Sequence, residues 1–287
     1  MHCGFSQLKA YQIGVALVLA WSSSLACIGD EKAARSYSVN VVPQLPPAAT
    51  FARWAPMLER VGQKTGMCFE LIVPDSITAF ESTLWGGKTD FAFANPYHAV
   101  VARKRQGYVP LLIDSRVRLS GLLVVRSDSA LRSVQDLNGK EMAFPSPNAF
   151  AASLLTRAEL AKKGIQITPK YLKTHGNVYR AVLSGDVAAG GGVNNTLQRE
   201  EPGLRQSLKV IYETGTYAPH PVVAHPRVPA SVRAQFQAAV LALGEDAPGR
   251  TLLDGVQMPE PVRADYRRDF FPLEKLGLER WVVQHED

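Results

Sequence analysis

The residues best suited to chemistry sit in turns that lead from apolar runs into helices. Pro145–Ser146–Pro147–Asn148 joins the extended run Glu141–Phe144 to Ala149–Lys163, whose Ala151, Leu154, Leu155, Ala158 and Ala161 recur at helical spacing before Gly164. A helix N-terminus leaves its first backbone N–H groups unpaired and carries about half a positive charge. After a strand, that is an anion site, to which the Ser146 hydroxyl and Asn148 amide add donors around Ala149. The plainer reading is an ordinary helix capped by Asn148, with Pro147 stiffening the approach. Asn95–Pro96–Tyr97–His98 and His175–Gly176–Asn177 hold the same place, at the carboxyl end of an apolar run, where open α/β sheets collect ligands. Their plainer readings are a half-buried Tyr97 beside a capped helix and a structural His175.

Other groups point elsewhere. Gly190–Gly191–Gly192 follows a strand and serves either close backbone approach to a ligand or a tight hinge-side turn. His220 and His225, five apart with prolines between, are poor metal ligands, and no Gly-x-Ser-x-Gly elbow is present. No metal, cofactor or catalytic residue is expected. An enzyme with His175 or His98 as base lacks a carboxylate or nucleophile near either in the sequence.

The elements that must position these residues alternate. Ser36–Val42, Cys68–Val73, Phe91–Ala94, Val109–Asp114 and Gly121–Arg126 read as strands. Thr50–Thr65, with Phe51, Trp54, Leu58 and Val61 on one face, Ile77–Trp85 and Tyr97–Arg105 read as helices between them. The pattern restarts after Asp136 and runs through strands at Thr168–Lys173, Val187–Gly190 and Leu208–Tyr212, then returns with Val222–His225 and the helix Ala230–Leu243. The expected fold class is α/β: two doubly wound lobes joined by a hinge. The first lobe spans 36–128 plus 216–287 and the second 129–215, with crossovers near Ser127–Leu131 and Glu213–Pro219.

The 287 residues are 46% hydrophobic and 20% charged, enough for two cores. Residues 1–26 differ: Lys9 is their one charged side chain, Ile13–Ala20 is apolar but too short to span a bilayer, and Ser24–Leu25–Ala26 offers a cleavage site. That is a secretory signal peptide. Cys27 follows it as in a lipobox, with Ser24 where Leu is usual, so lipidation of Cys27 and plain cleavage both stand. Cys68 has no other partner in the mature chain, and no disulfide framework is implied. The formal charge of +6 suits an anionic ligand and general solubility alike. Basic stripes interleaved with aromatics, as for nucleic acid, are absent.

Taken in order, Trp54–Ala55–Pro56–Met57–Leu58, Gly87–Lys88–Thr89–Asp90–Phe91–Ala92, Asn95–Pro96–Tyr97–His98–Ala99, Leu122–Ser129, Asp136–Lys140, the Pro145–Ser153 loop, His175 and Ala181–Gly185 resemble the phosphate/phosphite/phosphonate-binding proteins of bacterial ABC transporters. The resemblance spans roughly Val39 to Leu278. It implies a type II periplasmic-binding-protein fold closing on a small phosphorus oxyanion. It also implies Tyr97 and His175 as ligand contacts, and Ser146, Pro147 and Asn148 where relatives carry a Ser-Thr-Ser run. Three positions depart: Ser76 stands for a tyrosine, Ala188 for an acidic residue, and Thr214 or Thr216 for an aspartate. Those acidic groups help read the far end of an aminophosphonate; their absence weakens that ligand in particular and leaves a smaller oxyanion, or a different ligand, open. The implied setting is periplasmic, as a monomer serving a permease; a membrane sensor kinase with another small ligand is the alternative partner.

Overall fold

Apolar strands separated by amphipathic helices assemble two sheets, joined by two short crossovers. The computed structural model describes residues 27–29 and 35–283; the expected leader, 1–26, lies outside them. The chain runs through β1 (Ile28–Gly29), β2 (Ser36–Val41), β3 (Cys68–Ile72), β4 (Phe91–Phe93) and β5 (Val109–Asp114). Helices α1 (Pro47–Thr65), α2 (Ile77–Trp85) and α3 (Pro96–Gln106) link β2 to β5 in turn. It then enters β6 (Gly121–Arg126), β7 (Lys140–Phe144), β8 (Ile167–Tyr171), β9 (Ala189–Val193) and β10 (Leu208–Glu213). Helix α4 starts as a π-helical stretch, Phe150–Leu155, and continues as regular α-helix over Thr156–Lys162; α5 is His175–Ser184, α6 Asn194–Gln198 and α7 Pro202–Gln206. The chain returns through β11 (Val222–Ala224), α8 (Ala230–Ala242), α9 (Ala247–Gly255) and β12 (Pro261–Arg263).

The first sheet has the order β1-β3-β2-β4-β11-β5-β12 and the second β10-β6-β9-β7-β8. Both are mixed: β2 runs parallel to β3 and β4, β7 parallel to β8 and β9, while β11 and β6 run antiparallel to their neighbours. The Gly121–Arg126 strand was expected in the first lobe; its pairing with β9 and β10 puts it in the second. Chain order carries no signal for which sheet a strand joins. The outward crossover is therefore residues 115–120, and Leu119 pairs with Tyr217 of the return crossover through two backbone hydrogen bonds.

Helix α1 starts at Pro47, where a missing N–H costs nothing. Its buried face centres on Thr50, Trp54, Met57 and Val61, which rotates Phe51 to the flank and leaves it 50% exposed, against expectation. The glycine run also differs from both readings, because it forms most of β9 at the centre of its sheet. A Cβ on Gly191 would stand 2.1 Å from the Ala152 carbonyl oxygen, and one on Gly121 2.1 Å from that of Ala151. These glycines let the first turn of α4 lie directly on β6 and β9. That turn also joins Tyr97, Phe93 and Val222 in the larger hydrophobic core, which spans both lobes.

Cys27 and Cys68 form a disulfide, tying β1 to β3 at the sheet edge. They stand 41 positions apart in the chain, a spacing without signal until β1 is seen to pair with β3. No helix among the described residues is long and apolar enough to cross a membrane.

Candidate anion site between the lobes

A cavity of about 20 Å³ lies where the lobes meet. A single water needs roughly 10–15 Å³, so the space favours a compact occupant. One wall is the first turn of α4, Ala149–Phe150–Ala151–Ala152; Gln44, Asn95, His175 and His220 supply the polar side chains, and Val42, Ile77, Leu119 and Val193 the apolar ones. Among the described residues, no carboxylate, lysine or arginine lines it.

The turn owes its character to the sequence before it. Asn148 does not cap α4; Ala149 is the N-cap, and its carbonyl accepts from both Ser153 and Leu154 N–H. The wider π turn leaves the N–H groups of Phe150, Ala151 and Ala152 without a carbonyl partner among the described residues. Arg157 braces the loop from behind, donating from Nη2 to the Pro147 carbonyl at 2.9 Å and from Nε to Ser153 Oγ at 3.2 Å. It has no ion-pair partner among the described residues, and burial lowers its pKa. Its charge adds to the positive end of the helix.

The expected site residues divide into groups. Asn95, Ala149 and His175 line the cavity. Ser146 is buried with its hydroxyl unpartnered. Tyr97 stacks on Phe150 with ring centroids 6.1 Å apart, but it lines a separate groove of about 170 Å³ with Lys104, Glu279 and Val282. Burial, reinforced by the Glu279 charge, raises its pKa well above that of a free phenol.

Two residues are committed elsewhere. His98 pairs through Nε2 with Glu81 Oε1 at 2.7 Å, both side chains buried. Asn148 Nδ2 donates to Glu81 Oε2 and to the Val283 carbonyl, each at 2.9 Å, while its Oδ1 accepts the Val283 N–H at 2.9 Å. Asn148 thus fastens the second lobe to Glu81 and to the C-terminal segment. The sequence reading found no carboxylate near His98 because Glu81 lies 17 residues away, on the neighbouring helix α2. Asn177 is exposed, and its side chain donates to the Leu172 carbonyl at 2.9 Å, away from the cavity.

Two lining residues stand outside the expected site: Gln44, and His220, which the sequence offers only as a poor metal ligand. Gln44 follows the first main strand, a position as favourable as that of Tyr97, and only its lack of charge hid it. Burial keeps both cavity histidines neutral, pushing the pKa of His175 down to about 4 and that of His220 to about 3; the nearby His98 and His175 add to the second shift.

Residues 39–269 match the family model of the ABC transporter, phosphonate, periplasmic substrate-binding protein. Among solved structures, a binding protein component of an ABC phosphonate transporter from Pseudomonas aeruginosa superposes with a TM-score of 0.76 at 16% identity, over 86% of this chain and 87% of that one. PhnD1 from Prochlorococcus marinus, in complex with methylphosphonate, gives 0.75 at 16% identity over 84% and 97%. A Xanthomonas citri protein bound to ATP gives 0.67 at 18% over 86% and 98%. At such identities these likenesses establish a type II binding-protein fold. The family model spans most of the chain, and a donor-lined cavity between two lobes is what a solute carrier requires: the chain belongs to the periplasmic substrate-binding proteins of phosphonate ABC transporters, a family that binds solutes and is not enzymatic.

Proposed function

We propose that this chain captures a compact phosphorus oxyanion (phosphite, methylphosphonate or phosphate) and delivers it to the permease of an ABC transporter. The observation that supports the ligand class is the turn of unpaired N–H groups at Phe150, Ala151 and Ala152 on a cavity without a carboxylate. An oxyanion satisfies those donors, each charge-assisted hydrogen bond contributing about 1.5–3 kcal/mol. Ser146 and His175 add side-chain groups without protein partners from the second lobe, while Asn95 lines the cavity from the first with its amide engaged by Asn148 and His98. An aminophosphonate would bury its ammonium among neutral groups, a cost of several kcal/mol. Tyr97 acts through its stacking on Phe150, holding the anion-binding turn in place. Lobe closure follows because contacts to the ligand from both lobes exist together only in the closed form.

The family's transporter assignment favours the permease over a sensor kinase as partner. Export with loss of residues 1–26, a monomeric state, and the choice at Cys27 between its disulfide and a lipid belong to the same proposal. Intact mass of the membrane and periplasmic fractions separates the last two.

Calorimetry with phosphite, methylphosphonate, phosphate, sulfate and 2-aminoethylphosphonate tests the ligand class. Phosphite or methylphosphonate is expected to bind and 2-aminoethylphosphonate to fail. At 100 times its dissociation constant the ligand adds about 2.7 kcal/mol, a rise of a few degrees in Tm. Tight binding of the aminophosphonate in preference to all others would contradict the proposal.

A further inference from the structure

A chain of side-chain amides runs from the cavity to the contact between lobes. Asn195, on α6 of the second lobe, donates from Nδ2 to Gln257 Oε1 at 3.0 Å. Gln257, just after α9 of the first lobe, donates from Nε2 to Gln44 Oε1 at 2.8 Å. Gln44 in turn places its Nε2 2.8 Å from His220 Nε2. Phe93 stacks on the His220 ring with centroids 5.4 Å apart and fixes its plane.

The direction of this chain sets the tautomer of His220. With its carbonyl oxygen taken by Gln257, Gln44 presents its amide nitrogen, which only donates, so His220 Nε2 accepts. A neutral imidazole then carries its proton on Nδ1, and burial keeps this one neutral. Nδ1 has no hydrogen-bond partner among the described residues, yet His220 lines the cavity. An N–H donor facing a largely apolar cavity calls for an acceptor. Gln257 sits at φ 64°, a left-handed conformation that residues other than glycine and asparagine rarely adopt. Its side chain, bonded at both ends of the amide, accounts for its place there.

We propose that His220 is a further ligand-contacting residue, donating from Nδ1 to an oxygen of the bound anion. Gln44 is the positioning residue that sets its tautomer, and Gln257 with Asn195 ties that arrangement to lobe contact. The inference deepens the oxyanion reading and rests on it. It gives the first lobe an oxygen-reading donor opposite His175 and the α4 turn, so specificity on this side is for an acceptor atom.

Two measurements test it. Long-range ¹H–¹⁵N spectra of the full mature chain should show the Nδ1–H tautomer for His220, lost or mixed in Gln44→Leu; an Nε2–H tautomer in the unaltered chain would overturn the assignment. Calorimetry with methylphosphonate and phosphite is then compared across variants. His220→Phe keeps the stacking and removes the donor, and should weaken binding roughly tenfold or more. His220→Asn, whose amide nitrogen replaces Nδ1, should stay within about threefold of the unaltered chain. Equal affinity in His220→Phe and the unaltered chain, with Ser146→Ala impaired, would remove His220 and leave the oxyanion reading intact. If the unaltered chain binds no oxyanion, that reading fails and His220 with it.

Discussion

Two buried polar clusters meet at Asn95 and differ most in how far their hydrogen bonds are satisfied. In the first, Glu81, His98, Asn148 and the Val283 backbone bind one another, and Asn95 joins by donating to the Asn148 carbonyl at 3.3 Å and accepting the His98 N–H at 2.7 Å. In the second, the α4 turn, His175 and the nearby Ser146 keep polar groups without protein partners around a cavity that His220 also lines. Both draw on Asn and His residues near strand ends, and only the first holds a carboxylate, Glu81 of α2. Satisfaction separates them in degree: the first leaves His98 Nδ1 alone without a partner and holds lobes and chain terminus together, while the second leaves several donors open around a cavity and is complementary to something outside the protein.

The sharpest way to break the comparison is to open the first cluster. Glu81→Ala strands His98 and the Asn148 amide in a dry interior, and should cost about 3–5 kcal/mol of stability by urea unfolding. The loss should appear whether or not oxyanion is added. A loss under about 1 kcal/mol would mean that this cluster is no staple.

Acid acts on the second cluster. The folded pKa of His175, about 4, lies below its ordinary value of 6.5, so the unfolded chain binds the proton first. Stability is complete above pH 6.5, falls as pH drops towards 4, and changes little from this group below that. The His175 share is on the order of 3 kcal/mol. Urea midpoints between pH 7 and 4 should fall accordingly, and less steeply in His175→Asn; parallel curves would contradict the buried, neutral assignment.

Ser146→Ala should leave stability almost unchanged and reduce oxyanion affinity about tenfold to a hundredfold, from the loss of one charge-assisted hydrogen bond. Calorimetry reading no change would take Ser146 out of the site. The smallest effect belongs to Asn177→Ala, which removes only a local bond to the Leu172 carbonyl. Affinity should be unaltered and stability lower by about 1 kcal/mol or less.

What the sequence revealed divides along the same line. Helix and strand periodicity located the elements, and the restart after Asp136 showed two lobes. Membership of β6 was hidden, because sheet pairing is a long-range property. Strand ends mark Asn95, Ala149 and His175, which line the cavity, and equally His98 and Asn148, which long-range partners occupy. Gln44 carries no spacing signature, and the spacing of His220 from His225 speaks only to metal binding, not to a place on the cavity. Pro147, expected to stiffen the approach, also supplies the carbonyl that Arg157 grips.

The central claim is that the α4 turn receives the anion, and its own amide protons report on it most directly. In a ¹⁵N-labelled chain titrated with methylphosphonate or phosphite, the amides of Phe150, Ala151 and Ala152 should show the largest downfield proton shifts, as unpaired N–H groups acquire a charged acceptor. Saturable binding that leaves those three resonances in place would contradict it.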